Sequence, residues 1–157
     1  MRENKALPRK PGKNLRFALA LAITLSAGCG PATDPVRQTI DGIVQGAEDR
    51  DAAAVLERLS TDFQGADGSG RADAEATLRR YLAAYEKLDV RISDLNVERA
   101  AGAARARFRA DLSGSPRQIG GLGDLLPRTS AYRFDLRLAP GEGGRWLVTW
   151  ASWEPAS

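Results

Sequence analysis

The chemistry open to this 157-residue chain is limited by its residue types, because it contains no histidine and one cysteine, Cys29. The absence of histidine excludes Ser-His-Asp and Cys-His sites and any histidine-ligated metal. The Gly-rich segments at 67–73 and 120–124 lack the residues that calcium and phosphate loops require. We therefore expect no metal and no cofactor. Catalysis would have to use Asp, Glu, Tyr, Ser, Thr, Lys or Arg.

Aromatic side chains form the second group of interest. Tryptophan combines a large apolar surface with one N–H that needs a partner when it is buried. Trp146, Trp150 and Trp153 lie close together near the end of the chain, and simple alternation places the first two on one face of a strand. These tryptophans could form the wall of an apolar pocket or part of an ordinary core, and the second role is favoured. The candidate lining of an apolar pocket is Tyr81, Tyr85, Phe108, Tyr132, Trp146 and Trp150.

Arginines alternate with apolar residues in two segments that are predicted to be neighbouring strands. They are Arg105, Arg107, Arg109, Arg133 and Arg137. One interpretation is a surface for an anionic partner such as lipid headgroups. Because Asp111 and Asp135 share the same face, cross-strand ion pairs on a solvated surface are the favoured interpretation.

The elements that must position these residues are three helices followed by four strands. Asp34-Pro35 and Asp51 are typical helix starts. Apolar spacing predicts helices over 35–47, 52–59 and about 72–86, with Ser60 to Phe63 ending the second and a turn at 64–70. Alternation then predicts strands over 88–97, 104–112, 132–138 and 145–154, with a bulge near Ser93-Asp94 and a long connection at 113–130. This order predicts an α+β fold with an antiparallel sheet.

The order of elements resembles the nuclear transport factor 2-like superfamily, which includes SnoaL-like polyketide cyclases and ketosteroid isomerases. The resemblance rests on Asp49 to Phe63 (DRDAAAVLERLSTDF), on Leu78 to Leu82 (LRRYL) and on Arg145 to Val148 (RWLV). It covers residues 35–154. It implies three N-terminal helices packed on a strongly curved antiparallel sheet of four or more strands, which together form a cone with a pocket open at one end.

The superfamily hosts enzymes, binding proteins and assembly modules, so the resemblance leaves function open. Ketosteroid isomerase-like members use an Asp base with a Tyr and a protonated Asp as the oxyanion hole. Here Asp62 and Asp89 lie near element ends but in no defined motif, and the histidine of SnoaL-like cyclases is missing. The leading hypothesis is non-enzymatic binding of an apolar small molecule or a partner protein. The alternatives are a small isomerase- or cyclase-like enzyme using Asp and Tyr, and a subunit of an envelope complex, with a homodimer open in each case.

The N-terminal segment has the features of an export signal. A basic stretch over 1–16 precedes the apolar run from Phe17 to Leu25, which is too short to span a bilayer. The following Leu-Ser-Ala-Gly-Cys, ending at Cys29, resembles the lipobox of bacterial lipoproteins, whose cysteine sulfur is acylated and becomes the first residue of the mature chain. The resemblance implies anchoring to a membrane through acyl chains on Cys29. The alternative is a soluble exported protein with a free thiol.

Removing this segment changes the charge of the chain. Residues 1–28 hold six of the 23 basic residues and one of the 20 acidic ones, so 17 basic and 19 acidic residues remain. The net charge of +3 therefore gives no reason to expect a nucleic-acid partner. The predicted organisation is a signal peptide at 1–28, a lipidated tether at 29–34 and one domain at 35–154. The expected location is the bacterial cell envelope, facing the periplasm, with Gly30 favouring the outer membrane.

Overall fold

Three helices pack against one face of a curved five-stranded sheet in the computed structural model, which describes residues 34–118 and 126–156. The predicted signal peptide and Cys29 lie outside the described residues. The helices are α1 (Pro35–Glu48), α2 (Ala52–Leu56) and α3 (Arg71–Ala83), and the strands are β1 (Leu59–Gly65), β2 (Tyr85–Ala100), β3 (Ala103–Pro116), β4 (Thr129–Pro140) and β5 (Trp146–Pro155). The predicted α+β class is confirmed. No helix in the described ranges is long and apolar enough to cross a membrane.

Helix starts follow the predicted capping residues. The Asp34 carboxylate accepts a hydrogen bond from the Val36 amide at 2.9 Å, and Asp51 accepts from the Ala53 and Ala54 amides. Each carboxylate thereby satisfies amides that have no partner inside the first helical turn. The helix ends differ from the prediction, since α2 ends at Leu56 and α3 ends at Ala83.

The sheet is mixed, with the order β1-β5-β4-β3-β2, so the prediction of an antiparallel sheet is wrong in one strand. The segment expected to end α2 forms β1, which runs parallel to β5. Backbone bonds hold it there, since the Val148 amide donates to the Arg58 carbonyl and the Ala66 amide donates to the Ala151 carbonyl. Phe63 is the buried apolar side chain of this short strand. Because the strand buries few apolar side chains, the sequence shows little of the alternation that marks a strand.

The other four strands form an antiparallel meander, as predicted. Gly102 takes a left-handed φ of 72° in the tight turn between β2 and β3, and a 3₁₀ turn at Glu142–Gly144 joins β4 to β5. The predicted bulge is confirmed, because the β2–β3 register shifts between Ser93 and Asn96 and Asp94 has a φ of 55°. Strands β3 and β4 extend into the predicted connection at 113–130, of which residues 119–125 lie outside the described part.

The core lies between the helices and the face of the sheet toward them, here called the inner face. Ala104 and Ala106 on β3 are buried beside Leu136 and Leu138 on β4, and these small side chains let α1 pack closely. The one buried polar residue among those described, Thr39 on α1, donates a 2.6 Å hydrogen bond to the Trp146 carbonyl. That bond satisfies the hydroxyl and ties α1 to the start of β5.

Candidate functional site

Four aromatic rings meet on the inner face of β3, β4 and β5. The Phe108 and Phe134 rings are stacked with centroids 5.3 Å apart and planes 16° apart. The Trp153 ring lies 6.5 Å from Phe134, and the Tyr132 ring lies 6.4 Å from it in an edge-on arrangement. We call Phe108, Tyr132, Phe134 and Trp153 the aromatic row. These separations lie in the range in which aromatic pairs attract.

The register of the strands produces this row. Phe108 pairs with Phe134 across β3 and β4, and Phe134 pairs with Trp153 across β4 and β5. Paired residues of antiparallel strands point to the same face with their side chains in contact. Tyr132 is two residues from Phe134 on β4 and therefore extends the row along the strand.

The row passes from the core to the surface. Phe108 and Phe134 are half-buried and pack against the core residues, whereas Trp153 is 48% exposed and is the exposed large apolar side chain of the described part. A large ring that stays open beside three others offers a flat apolar surface. Such a surface can stack with a planar apolar ligand and release the water that covers it.

Two of the tryptophans in the predicted pocket lie elsewhere. Trp146 packs against the core under α1, and its carbonyl accepts the Thr39 hydroxyl. Trp150 lies on the opposite face, here called the outer face, with the Arg137 guanidinium 4.5 Å from its ring centre. The prediction that both share a face is wrong, because β5 has a bulge at Thr149 that reverses the alternation.

Tyr81 and Tyr85 form a separate pair, with ring centroids 5.2 Å apart. The prediction that Tyr85 lies on the third helix is wrong, because α3 ends at Ala83 and Tyr85 begins β2. Its hydroxyl donates to the Pro127 carbonyl at 2.9 Å. Burial, assisted by Tyr81, raises the pKa of Tyr85 to about 12. The Tyr85 hydroxyl therefore holds the chain before β4 rather than facing a site.

The carboxylates do not meet the tyrosines. Asp62 and Asp89 are exposed, and Asp89 lies 3.5 Å from the Lys87 ammonium. Within residues 34–118 and 126–156, no carboxylate is hydrogen-bonded to a tyrosine hydroxyl, and no group of carboxylates is arranged to hold a metal ion. The described part therefore lacks the Asp–Tyr pair on which the enzymatic alternative depends.

The predicted cross-strand ion pairs are confirmed for two of the five arginines on the outer face. Arg105 binds Asp135 across β3 and β4, and Arg107 binds Glu98 across β3 and β2. The hydrogen bond from Arg105 holds the pKa of Asp135 below its ordinary value. Arg109 is 2.9 Å from Asp111 on its own strand. These pairs neutralise much of the positive charge that the sequence pattern suggests.

Phe134 and Trp153 are the site residues that the sequence prediction missed. Phe134 shares the alternation of Tyr132 and could have been included on that ground. Trp153 could not, because its face depends on the bulge at Thr149. Of the predicted pocket residues, the structure brings Phe108 and Tyr132 into one site.

Comparisons with known proteins give structural likenesses at low sequence identity. No family model matches the sequence, and no curated protein matches it. A protein of Novosphingobium aromaticivorans assigned as a scytalone dehydratase superposes with a TM-score of 0.65 at 9% identity, over 78% of this chain and 83% of that one. A nuclear transport factor 2-like superfamily protein of Salmonella enterica has a TM-score of 0.63 at 14% identity, over 78% and 89% of the two chains.

Bd1075 of Bdellovibrio bacteriovorus gives a similar match, with a TM-score of 0.63 and 11% identity. The alignment covers 78% of this chain but spans 40% of the Bdellovibrio protein. At 9–14% identity, the likeness to these proteins concerns architecture alone. The described chain has the nuclear transport factor 2-like fold.

Proposed function

We propose that this domain binds a planar apolar small molecule on the aromatic row, and that it does so without converting the ligand. The observation that carries the proposal is the exposed Trp153 ring beside the stacked Phe108 and Phe134 rings. An exposed ring of this size that continues into partly buried rings is a candidate binding surface. A ligand that stacks on Trp153 completes the burial of the row.

The rings of the row favour an uncharged planar ligand, and the groove beside them is also lined by charged side chains, among them Arg109 and Glu154. The rings of Phe108, Phe134 and Trp153 offer one hydrogen-bond donor, the indole N–H of Trp153, and no acceptor. Tyr132 adds a hydroxyl at the edge. Uncharged molecules lose little solvation in such a place, whereas an unpaired carboxylate or amine would lose much.

The binding role is favoured over catalysis by the arrangement of the polar groups. An enzyme of this type needs a base within hydrogen-bond reach of the reacting atom and a donor for the developing oxyanion. In the described part, Tyr85 is bonded to the Pro127 carbonyl, and Asp62 and Asp89 lie at the surface. The groove beside the row does contain carboxylates, namely Asp94, Asp135 and Glu154, but Asp135 is paired with Arg105 and none of the three is hydrogen-bonded to a tyrosine hydroxyl in the described part.

We further propose that the domain acts at a membrane surface in the bacterial envelope, held by acyl chains on Cys29. The lipobox-like Leu-Ser-Ala-Gly-Cys sequence supports this location. Expression of the full chain in a bacterium with labelled palmitate should give a labelled protein in the membrane fraction. Cys29→Ala should lose the label, whereas Ser26→Ala should keep it. An unlabelled wild-type protein would refute the anchor while leaving the binding proposal standing.

The binding proposal is tested by titrating the full chain with the neutral fluorescent probe N-phenyl-1-naphthylamine. We expect saturable binding that Trp153→Ala weakens about tenfold, because one aromatic contact contributes roughly 1 kcal/mol beyond its buried area. Trp150→Ala is the matched control, since it removes the same side chain from the outer face of the same strand. Equal affinity in the two variants, or no saturable binding to the wild-type chain, would refute the proposal.

A further inference from the structure

A groove that shares no residue with the aromatic row, here called the second groove, lies between the α1–α2 turn and the end of α3. Its volume is about 550 Å³. The apolar side of the groove comes from α2 and α3. The residues that line it are Asp49, Arg50, Asp51, Ala52, Ala53, Arg79, Leu82, Ala83 and Arg117.

Two arginines in this groove converge on one backbone oxygen. The Nη1 of Arg50 and the Nε of Arg117 each donate to the Tyr85 carbonyl at 3.3 Å. That carbonyl is fixed, because the Tyr85 side chain is buried and its hydroxyl is bonded to Pro127. The Arg117 amide also donates to the Ala84 carbonyl at 2.8 Å. The two guanidinium groups are therefore held close together although they come from distant parts of the sequence, the α1–α2 turn and the end of β3.

No carboxylate of the described part is in direct contact with either arginine of this pair. Neither Arg50 nor Arg117 forms an ion pair there. The acids of the groove have other partners, since Asp49 accepts from the Gln45 amide group and Asp51 caps α2. Two adjacent cations repel each other, and an anion placed between them removes that repulsion.

The backbone at Arg50 gives a second, independent observation. Arg50 has a φ of 58°, in the left-handed region, at the position just past the end of α1. Glycine or asparagine occupies this position at lower cost, because the Cβ of most residues crowds a backbone carbonyl oxygen there, whereas glycine has no Cβ and the short asparagine side chain can hydrogen-bond locally. An arginine in a strained conformation at the rim of a groove suggests that its side chain has a task.

We propose that this groove binds a phosphate group, with Arg50 and Arg117 as its donors. A phosphate offers several acceptor oxygens to the N–H groups that the Tyr85 carbonyl leaves free, and arginine pairs with phosphate through two parallel hydrogen bonds. Arg79 stands at the rim, held by Glu75 at 2.7 Å. The apolar side of the groove accommodates the remainder of the molecule. The phosphate comes from a lipid headgroup or from a free organic phosphate.

The test is a titration of the Cys29→Ala chain, which cannot carry the acyl anchor, with inorganic phosphate and, separately, with phosphatidylglycerol vesicles at constant ionic strength. We expect binding in at least one arm, weakened about tenfold or more by Arg50→Asn or Arg117→Gln, since a hydrogen bond to a charged group contributes that much affinity. Asparagine suits the left-handed backbone at position 50, so that variant keeps the turn. Binding of phosphate alone identifies a free phosphate compound, and binding of vesicles identifies a headgroup.

Arg145→Gln is the matched control, because Arg145 is an exposed arginine in the β4–β5 connection and its loss changes the net charge equally. It should bind as the Cys29→Ala chain does. Circular dichroism of each variant checks that the fold is kept, and Arg50→Lys should retain part of the affinity because it keeps the charge. The proposal is overturned by binding in neither arm, or by equal losses in Arg145→Gln and Arg50→Asn.

Discussion

The two faces of the sheet are built from alternating residues of the same strands, and they contact different things. On β4, Leu138 points inward and is 1% exposed, whereas its neighbour Arg137 points outward and covers the Trp150 ring. The inner face packs against helices and ends in the aromatic row. The outer face carries ion pairs such as Arg105–Asp135 in contact with solvent.

This difference indicates where the stability and the function of the domain reside. Burial of apolar side chains contributes most of the free energy of folding, whereas exposed ion pairs are screened by water and contribute little. The inner face therefore determines the fold, and the proposed binding surface lies on it. The outer face contacts solvent and can be changed at small cost.

The largest expected effect comes from substituting neighbours on the two faces. Leu138→Ala should lower the free energy of unfolding by about 2–5 kcal/mol, because it removes buried methyl groups and leaves a cavity. Arg137→Ala should lower it by less than about 1 kcal/mol, the usual value of an exposed cation–π contact. Urea denaturation followed by circular dichroism measures both. Equal effects would contradict the distinction between the faces.

A smaller effect is expected from adding one methyl group to the inner face at Gly114. A Cβ there would come within 2.7 Å of the Lys87 carbonyl and 2.8 Å of the Tyr85 ring. We expect Gly114→Ala to destabilise the domain by about 1–3 kcal/mol, as overpacking does elsewhere. The exposed neighbour Ser113→Ala, on the same strand, should leave thermal unfolding unchanged. A stable Gly114→Ala variant would show that the Tyr85 ring does not lie over this strand.

The smallest effect is expected on the outer face and depends on pH. The pKa of Asp135 in the folded state is lowered from its ordinary 3.8, chiefly by the hydrogen bond from Arg105. The carboxylate therefore stabilises the fold above that value, and the contribution disappears as the pH falls through the lowered pKa. Asp135→Asn should be slightly less stable than wild type at pH 7, by less than Gly114→Ala.

The control for this prediction is to compare the thermal unfolding of Asp135→Asn and wild type in acid and at high salt. Below the lowered pKa, Asp135 is protonated in both the folded and the unfolded state, so the two proteins should unfold at the same temperature. Addition of 1 M salt at pH 7 should reduce the difference, because the ion pair is partly exposed. A difference that persists in acid would mean that Asp135 acts through packing.

Much of the fold could be predicted because its signals are local. The capping carboxylates Asp34 and Asp51 mark helix starts through contacts within a few residues, and alternation marks the four long strands. Strand β1 could not be predicted in this way. It is short, and its place beside β5 depends on long-range pairing, such as Leu59 with Val148.

The candidate site was harder to predict, because it depends on registers and bulges rather than on composition. Phe108 and Tyr132 were found because β3 and β4 alternate without interruption. The bulge at Thr149 moved Trp150 to the outer face and Trp153 to the inner face. A shift of one residue in the pairing of β5 with β4 thus decides which tryptophan belongs to the site. The paired arginines of the second groove come together only through the Tyr85 carbonyl, which no sequence pattern indicates.

The most direct test of the binding surface is an isotope-filtered NMR experiment on the ¹³C-labelled full chain with unlabelled N-phenyl-1-naphthylamine. The account predicts intermolecular nuclear Overhauser effects from the ligand to the Trp153 indole and to the Phe134 and Phe108 rings. Trp150, on the same strand but on the outer face, should give none. Ligand contacts with Trp150 in place of Trp153 would contradict the account.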